Sequence, residues 1–329
     1  MVTINDVATR AGVAKSTVSN VLSGKKFVSE EKREHVLKVC KELNFIPNFC
    51  ASSLPSKKTN ILGLFLEANP NLGKPVFYKE LIYSCLLECS EKGYSLLLYS
   101  SDDKDKFLNM LYQGSSPIAG AVVVGPCVND ERLKYMEAGR IHCVVIGRPD
   151  NSTGLSSVDV DNYKLVKDVS EKLIADYGKN LYMINSNFEL TISQDRNKAF
   201  HEICVQHGIN KAAHLFESNA STMEDGYEVG LTVIKKDSAI ITANATIAKG
   251  VYKAVQEKGL EVGKDVGVFA LGRPKDNDDF SPKLSHAVQD YDLLGKCAIQ
   301  ELIREIEDGQ AQKTCLVDNE IFYLQSTTR

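Results

Sequence analysis

From residue 61 onward the chain runs through one pattern twice. Apolar runs ILGLFL, YSLLLYS, AGAVVVG and IHCVVIG alternate with helical stretches near 76–92, 103–113 and 129–139. After VDVDN and a helix over 162–177 the pattern restarts with NLYMIN, AAHLFES, SAIITA and VGVFAL, again with helices between. Unbroken apolar strands are strands covered on both faces, and their alternation with helices builds parallel sheets. The pattern predicts two α/β lobes of similar size within residues 61–329. Ligands of such sheets bind outside the carboxyl ends of the strands, so a cleft between the lobes is the expected site.

A segment of different texture precedes the lobes. In TINDVATRAGVAKSTVSNVLSG, Thr3 can cap a first helix, with Asp6 in its first turn. Ile4, Val7, Ala8 and Ala11 make one apolar stripe, and Gly12 permits a sharp turn. A second helix, roughly Lys15–Leu22, turns Val18, Val21 and Leu22 inward and Lys15, Ser16, Thr17, Ser19 and Asn20 outward. A third, about Ser29–Leu43, offers Val36, Leu37, Val39, Cys40 and Leu43 to the same core. Three small helices, the second with short polar side chains near its start, fit a helix-turn-helix over residues 1–46. A packing hairpin would show the same periodicity.

Charge separates the two parts. Residues 1–58 hold ten Lys and Arg against five acids, a balance of +5, while the remaining 271 residues carry −9. A basic head on an acidic body suits a head that alone meets a polyanion. No apolar run approaches the roughly 20 residues of a membrane span, and MVTINDVATR lacks the apolar centre of a secretory signal. Nine cysteines without metal-site spacing point to reduced thiols and a cytoplasmic protein. An enzyme is disfavoured: there is no Gly-x-Ser-x-Gly, Walker loop or Gly-x-Gly-x-x-Gly, and His201-Glu202 lacks a second His at 205. His201, Cys204 and His207 do not share metal-ligand spacing, so no metal, cofactor or catalytic residue is expected.

TINDVATRAGVAKSTVSNVLSG closely resembles the opening of the LacI/GalR family of bacterial transcription regulators, and FIPNFCASSL at 45–54 resembles that family's hinge. The likeness extends through the chain. It implies a helix-turn-helix head, a hinge helix and linker over 47–60, and a periplasmic-binding-protein-like core at 61–329. By that resemblance Lys15, Ser16 and Asn20 read bases, while Thr17 and Ser19 lie at phosphate-contact positions beside Thr3 and the hinge's Asn48. Lys15 suits guanine O6/N7 and Asn20 suits adenine N6/N7; hydroxyls position without specifying. Leu54 matches a wedge that enters the minor groove, and Ala51 the small residue that lets two hinge helices approach. Pro55 would stop that helix at Leu54. Two departures stand out: Ala14 replaces the usual Ser at the helix start, and Asn20 stands where many members carry Arg.

In the core, the resemblance carries over Arg196 as a donor to sugar hydroxyls, Asn244 as a polar contact, Tyr291 as a stacking aromatic with Gln289 beside it, and Phe77 and Tyr78 as cleft residues. Gly147, Ala245 and Gly272 stand where many relatives place acids. Both lobes carry the same tripeptide after a strand, Gly147-Arg148-Pro149 and Gly272-Arg273-Pro274. Arg148 and Arg273 at the cleft would favour an anionic effector such as a sugar phosphate, because the guanidinium fork donates bidentately. The expected protein is a homodimeric repressor of a carbohydrate-utilisation operon. It would bind pseudo-palindromic double-stranded operator DNA and respond to a sugar or sugar-phosphate effector, with no membrane partner. A switch by a protein co-regulator, or a small-molecule binder without a DNA role, are the other readings.

Overall fold

A computed structural model describes residues 2–23, 26–43, 45, 59–67, 76–101, 118–150, 153–210, 214–218, 222–309 and 314–329. The chain divides after Thr59 into two compact units. Across both, the described residues form ten helices and twelve strands.

The first unit is three helices, α1 (Ile4–Ala11), α2 (Lys15–Ser23) and α3 (Glu30–Glu42). Thr3 caps α1 in a reciprocal box: its hydroxyl accepts from the Asp6 N–H, and its own N–H donates to Asp6 Oδ2 at 2.7 Å. Gly12 ends the helix at φ +64, a left-handed conformation that glycine adopts without strain. Val7, Ala8, Ala11, Val18, Val21, Val36, Val39 and Cys40 form the core. Leu37 is instead exposed: Val36, Val39 and Cys40 already occupy the inward face of α3, and one residue further rotates the side chain away from it. Ser29, at the N-cap of α3, makes no side-chain cap hydrogen bond.

The second unit holds two six-stranded sheets. Strands β1 (Ile61–Glu67), β2 (Ser95–Ser101), β3 (Gly120–Val124), β4 (Cys143–Ile146), β5 (Ser156–Val160) and β11 (Thr314–Val317) make the first, ordered β11-β5-β4-β3-β1-β2. Strands β6 (Asn180–Ser186), β7 (Leu215–Ser218), β8 (Ser238–Thr242), β9 (Val266–Ala270), β10 (Ser285–Gln289) and β12 (Asn319–Phe322) make the second, ordered β12-β10-β9-β8-β6-β7. Every pairing is parallel except β10 with β12. Strands β3, β4, β8 and β9 are buried along their whole length, as two-sided cover requires.

Helices α4 (Val76–Glu91), α5 (Glu131–Ala138) and α10 (Tyr291–Asp308) cover the first sheet; α6 (Asn162–Tyr177), α7 (Thr191–His207), α8 (Met223–Val233) and α9 (Ala245–Glu257) cover the second. The sequence pattern missed the return of the chain. It leaves the first lobe after β5, re-enters it at α10 and leaves again after β11, so three connections join the lobes, at Asp161, Asp290 and Asp318. Asp161 and Asp290 also cap the helices that follow, accepting from the N–H groups of Lys164 and Leu293. Aspartate at a helix N-cap satisfies an orphan donor and meets the positive end of the dipole. The expected helix over 103–113 lies outside the described residues.

Candidate DNA-reading face and effector cleft

On α2, Lys15, Ser16 and Ser19 are exposed and Thr17 and Asn20 half-buried, while Val18 and Val21 point into the core beneath. The packing that fixes the helix therefore leaves its polar face open. Ala14 begins the helix through its carbonyl, which accepts from the Thr17 N–H at 2.8 Å. Thr3 is exposed, and its hydroxyl donates to Asp6 at 2.8 Å. Those Thr3 hydrogen bonds hold the Asp6 carboxyl below the usual carboxylate range. Asn48, Ala51 and Leu54 lie outside the described residues, as does the side chain of Phe77.

Arg196, Asn162 and Tyr291 lie in the first two turns of helices that follow β6, β5 and β10, and Asp159 lies on β5, so all sit near the carboxyl ends of parallel strands. Arg196, on α7, is buried at 5% exposure, and its Nε donates to Asn162 Oδ1 at 3.2 Å. Burial brings the Arg196 guanidinium down to about 10; Tyr291 and Asp159 oppose the shift. Asp159 is the one acid in the buried strand SSVDV. Burial pushes its carboxyl up to about 7, against a backbone hydrogen bond at Val160 and the charges of Arg148 and Arg196. Tyr291 opens α10, and burial pushes its hydroxyl up to about 12 with Arg196, Arg273 and Glu80 all within electrostatic reach. Arg196, Asn162, Asp159 and Tyr291 thus gather where the lobes face each other.

The twin Gly-Arg-Pro turns differ in a way the sequence concealed. Gly147 sits at φ +106, and a Cβ there would lie 2.7 Å from Pro126 Cδ, so no acid fits without moving that loop. Gly272 meets no such crowding. Each arginine is paired with a carboxylate of the opposite lobe: Arg148 with Asp195 on α7 at 3.3 Å, and Arg273 with Glu80 on α4. Beside the first pair the backbones also meet, Val128 N–H donating to the Glu189 carbonyl at 2.8 Å and Thr191 N–H to the Pro126 carbonyl at 3.1 Å. Asp130 and Arg132 brace that loop, with Arg132 also donating to the Gly125 carbonyl at 3.1 Å.

The other expected residues are placed less simply. Asn244 caps α9, its Oδ1 accepting from Ile247 N–H at 3.0 Å. Gln289 ends β10 opposite Asn319, half-buried. Tyr78 packs against the first lobe's core. Asn162, Asp159, Asp195 and Glu80 were not foreseen; a lone acid in the strand SSVDV was the readable signal for Asp159. A separate open cavity of about 1060 Å³ lies on the second lobe between α9 and residues 279–282. Its Lys249 is paired with Asp279 at 2.7 Å, and it includes none of the cleft residues. His207 is paired with Glu171 and Cys204 lies in the core; among the described residues no cluster of metal-ligating side chains occurs, and no helix is long and apolar enough to cross a membrane.

Comparison with known proteins agrees with this architecture. Residues 3–48 match the model of bacterial regulatory proteins of the lacI family, and residues 177–327 a periplasmic binding protein-like domain. The chain is 28% identical to catabolite control protein A of Staphylococcus xylosus, over 93% of both chains. It is 26% identical to the HTH-type transcriptional repressor PurR of Vibrio campbellii, over 95% of this chain and 94% of that one. Its fold matches a crystal structure of the lac repressor dimer bound to operator and an anti-inducer with a TM-score of 0.85, at 21% identity over 100% of this chain and 99% of that one. The chain thus carries a lacI-family helix-turn-helix domain and a periplasmic-binding-protein-like domain, and the relatives it is similar to are regulators of that family.

Proposed function

We propose that the chain is a cytoplasmic repressor of a carbohydrate-utilisation operon, binding a pseudo-palindromic operator as a homodimer and switched by a sugar or sugar-phosphate effector in the cleft. Lys15, Ser16 and Asn20 read base edges, and Thr3, Thr17, Ser19 and Asn48 position the head on phosphates. Leu54 wedges the minor groove while Ala51 lets the paired hinges approach. Arg196 and Asn162 grip the effector, Tyr291 covers one face of it, and Asn244, Gln289, Phe77 and Tyr78 complete the wall.

The observation that carries the effector reading is the buried Arg196–Asn162 pair at the junction of two lobes joined by three connections. A buried guanidinium with several N–H groups is a costly feature that hydroxylated ligands would satisfy. A ligand there bears on both lobes, and allosteric coupling of such a site to DNA typically amounts to about 1–3 kcal/mol. The dimer reading is supported by an exposed apolar face, Tyr83, Leu86 and Leu87 of α4 beside Leu98 of β2, which suits a second copy of the chain. The similar solved structure is itself of a dimer bound to operator and a small molecule.

The test is titration of operator-bound protein with a panel of neutral sugars and sugar phosphates at fixed salt. One member should shift operator affinity. If none does, while the isolated body also binds none of them, the switch belongs to a protein co-regulator.

A further inference from the structure

We propose that Cys297 and Cys315 are a peroxide-sensitive dithiol that closes to an intramolecular disulfide, fastening the edge strand β11 to helix α10. None of the cleft residues takes part.

Local structure brings the two side chains together. Strand β11, TCLV, is half-exposed at one edge of the first sheet and runs parallel to β5, with Cys315 opposite Val158. The two-residue period of a strand puts Cys315 on the same face as Val317, which is buried in the first-lobe core. On α10, Leu294 and Ala298 point into that core, and Cys297 flanks the same stripe. Both cysteines are half-buried against this core, and the Cys297 S–H donates to the Cys315 sulfur. Two residues 18 apart in sequence, one on a helix and one on a strand, thus meet thiol to thiol.

Exposure sets the pair apart from the core thiols. Cys40, Cys85, Cys89, Cys143 and Cys204 are buried. Burial pushes the thiols of Cys85 and Cys89 up to about 12, so they stay protonated and out of reach of an oxidant in solvent. Burial also raises the Cys297 thiol, as does the neighbouring Cys315 sulfur. Cys297 therefore holds its proton, and Cys315 is the sulfur that reacts first.

The chemistry balances with one peroxide. The Cys315 thiolate attacks a peroxide oxygen: an S–O bond forms, the O–O bond breaks, and the departing hydroxide takes up the thiol's proton as water. The product is a sulfenic acid at Cys315. The Cys297 sulfur then attacks the Cys315 sulfur, the S–S bond forms, and the S–O bond breaks. The leaving hydroxide takes the Cys297 proton as a second water. Two thiols have given up two electrons, and a thiol reductant reverses the step by exchange.

Position gives the bond its consequence. Helix α10 enters the first lobe directly from Asp290, and β11 leaves it through Asp318. The disulfide joins the first-lobe roots of two of the three lobe connections, and it closes a loop that constrains the unfolded chain.

The experiment treats the full chain with about 1 mM hydrogen peroxide, blocks remaining thiols by alkylation, and digests without reduction. Trypsin cuts after Lys296, Arg304 and Lys313, so the two cysteines fall on separate peptides, CAIQELIR and TCLVDNEIFYLQSTTR. Mass spectrometry should find these two joined, and dithiothreitol should part them. Tm should rise by about 5 °C or more on oxidation and return on reduction. The wild-type map needs no variant, and two variants test the order of events. Cys297→Ser should stop at the sulfenic acid, trapped on Cys315 by a 1,3-diketone, whereas Cys315→Ser should give no adduct on Cys297 at the same dose. Unlinked peptides after peroxide, a link through any other cysteine, Cys127 included, or a link between two chains would each overturn the proposal. A Cys297–Cys315 bond that leaves Tm unchanged would overturn the fastening of β11.

Discussion

Arg196 and Asn162 stand on different helices of the second lobe, α7 and α6, and are joined by a hydrogen bond of 3.2 Å between buried side chains. Asn162 is the second residue after β5, immediately beyond the first lobe connection at Asp161, so the pair ties the buried guanidinium to that connection. Replacing Arg196 by Met, or Asn162 by Ala, removes one partner and leaves the other buried. We expect effector affinity to fall at least about tenfold in either variant, with unliganded operator affinity within about threefold of wild type. Isothermal titration and operator anisotropy read the two quantities separately.

Asp159 makes stability fall as pH rises. Its carboxyl titrates at about 7 in the folded chain against 3.8 for an ordinary aspartate, so between those values the folded state holds a proton that the unfolded chain has released. This contribution is fully present below about pH 4 and is lost as pH climbs through 7. Asp159→Asn keeps the shape without the charge and should flatten the dependence. Urea unfolding at pH 8 should show the variant more stable by at least about 1 kcal/mol, with about 4 kcal/mol as the ceiling set by the shift. A variant as pH-dependent as wild type over this window would contradict the assignment.

Asn20 is expected to read a base rather than support the helix, since it lies half-buried on the polar face of α2 while Val18 and Val21 make the core contacts. Asn20→Ala should weaken operator binding by about 1–3 kcal/mol, roughly 5- to 150-fold, and relax discrimination at one base pair of each half-site. Non-specific binding and Tm should barely change. Lys15→Ala should lower affinity and also reduce the dependence on salt, because a cation near the polyanion releases counterions.

The face of Tyr83, Leu86, Leu87 and Leu98 predicts the assembly. Leu86 is 47% exposed and Leu87 43%, so a charge there does not disturb the packed side of α4, where Leu81, Cys85 and Cys89 lie. The Leu86→Asp/Leu87→Asp variant should run as a folded monomer in analytical ultracentrifugation where wild type runs as a dimer. Its operator affinity should drop steeply, since a lone head reads one half-site.

What the sequence discloses follows the range of the interactions involved. The head was readable because its periodicity, the Thr3–Asp6 cap and Gly12 act within a few residues. The parallel strands were readable because burial on both faces makes them continuously apolar. Strands β11 and β12 were not: TCLV and NEIF are short and half-exposed, and they are strands only because β5 and β10 offer open edges. Leu37 misled for a simple reason, since an apolar residue one step off a helical stripe looks like part of it. The twin Gly-Arg-Pro turns were visible, but their carboxylates come from distant helices that only the fold brings near.

The most direct test is fluorescence anisotropy of the full chain on its own upstream DNA, at fixed salt, with neutral sugars and sugar phosphates titrated in. The account predicts tight binding to one pseudo-palindromic site, far above that to unrelated DNA, and a shift of about 5- to 150-fold produced by a sugar or sugar phosphate and abolished in the Arg196→Met variant. Equal affinity for all DNA, or a site-specific complex whose response survives the loss of Arg196, would contradict it.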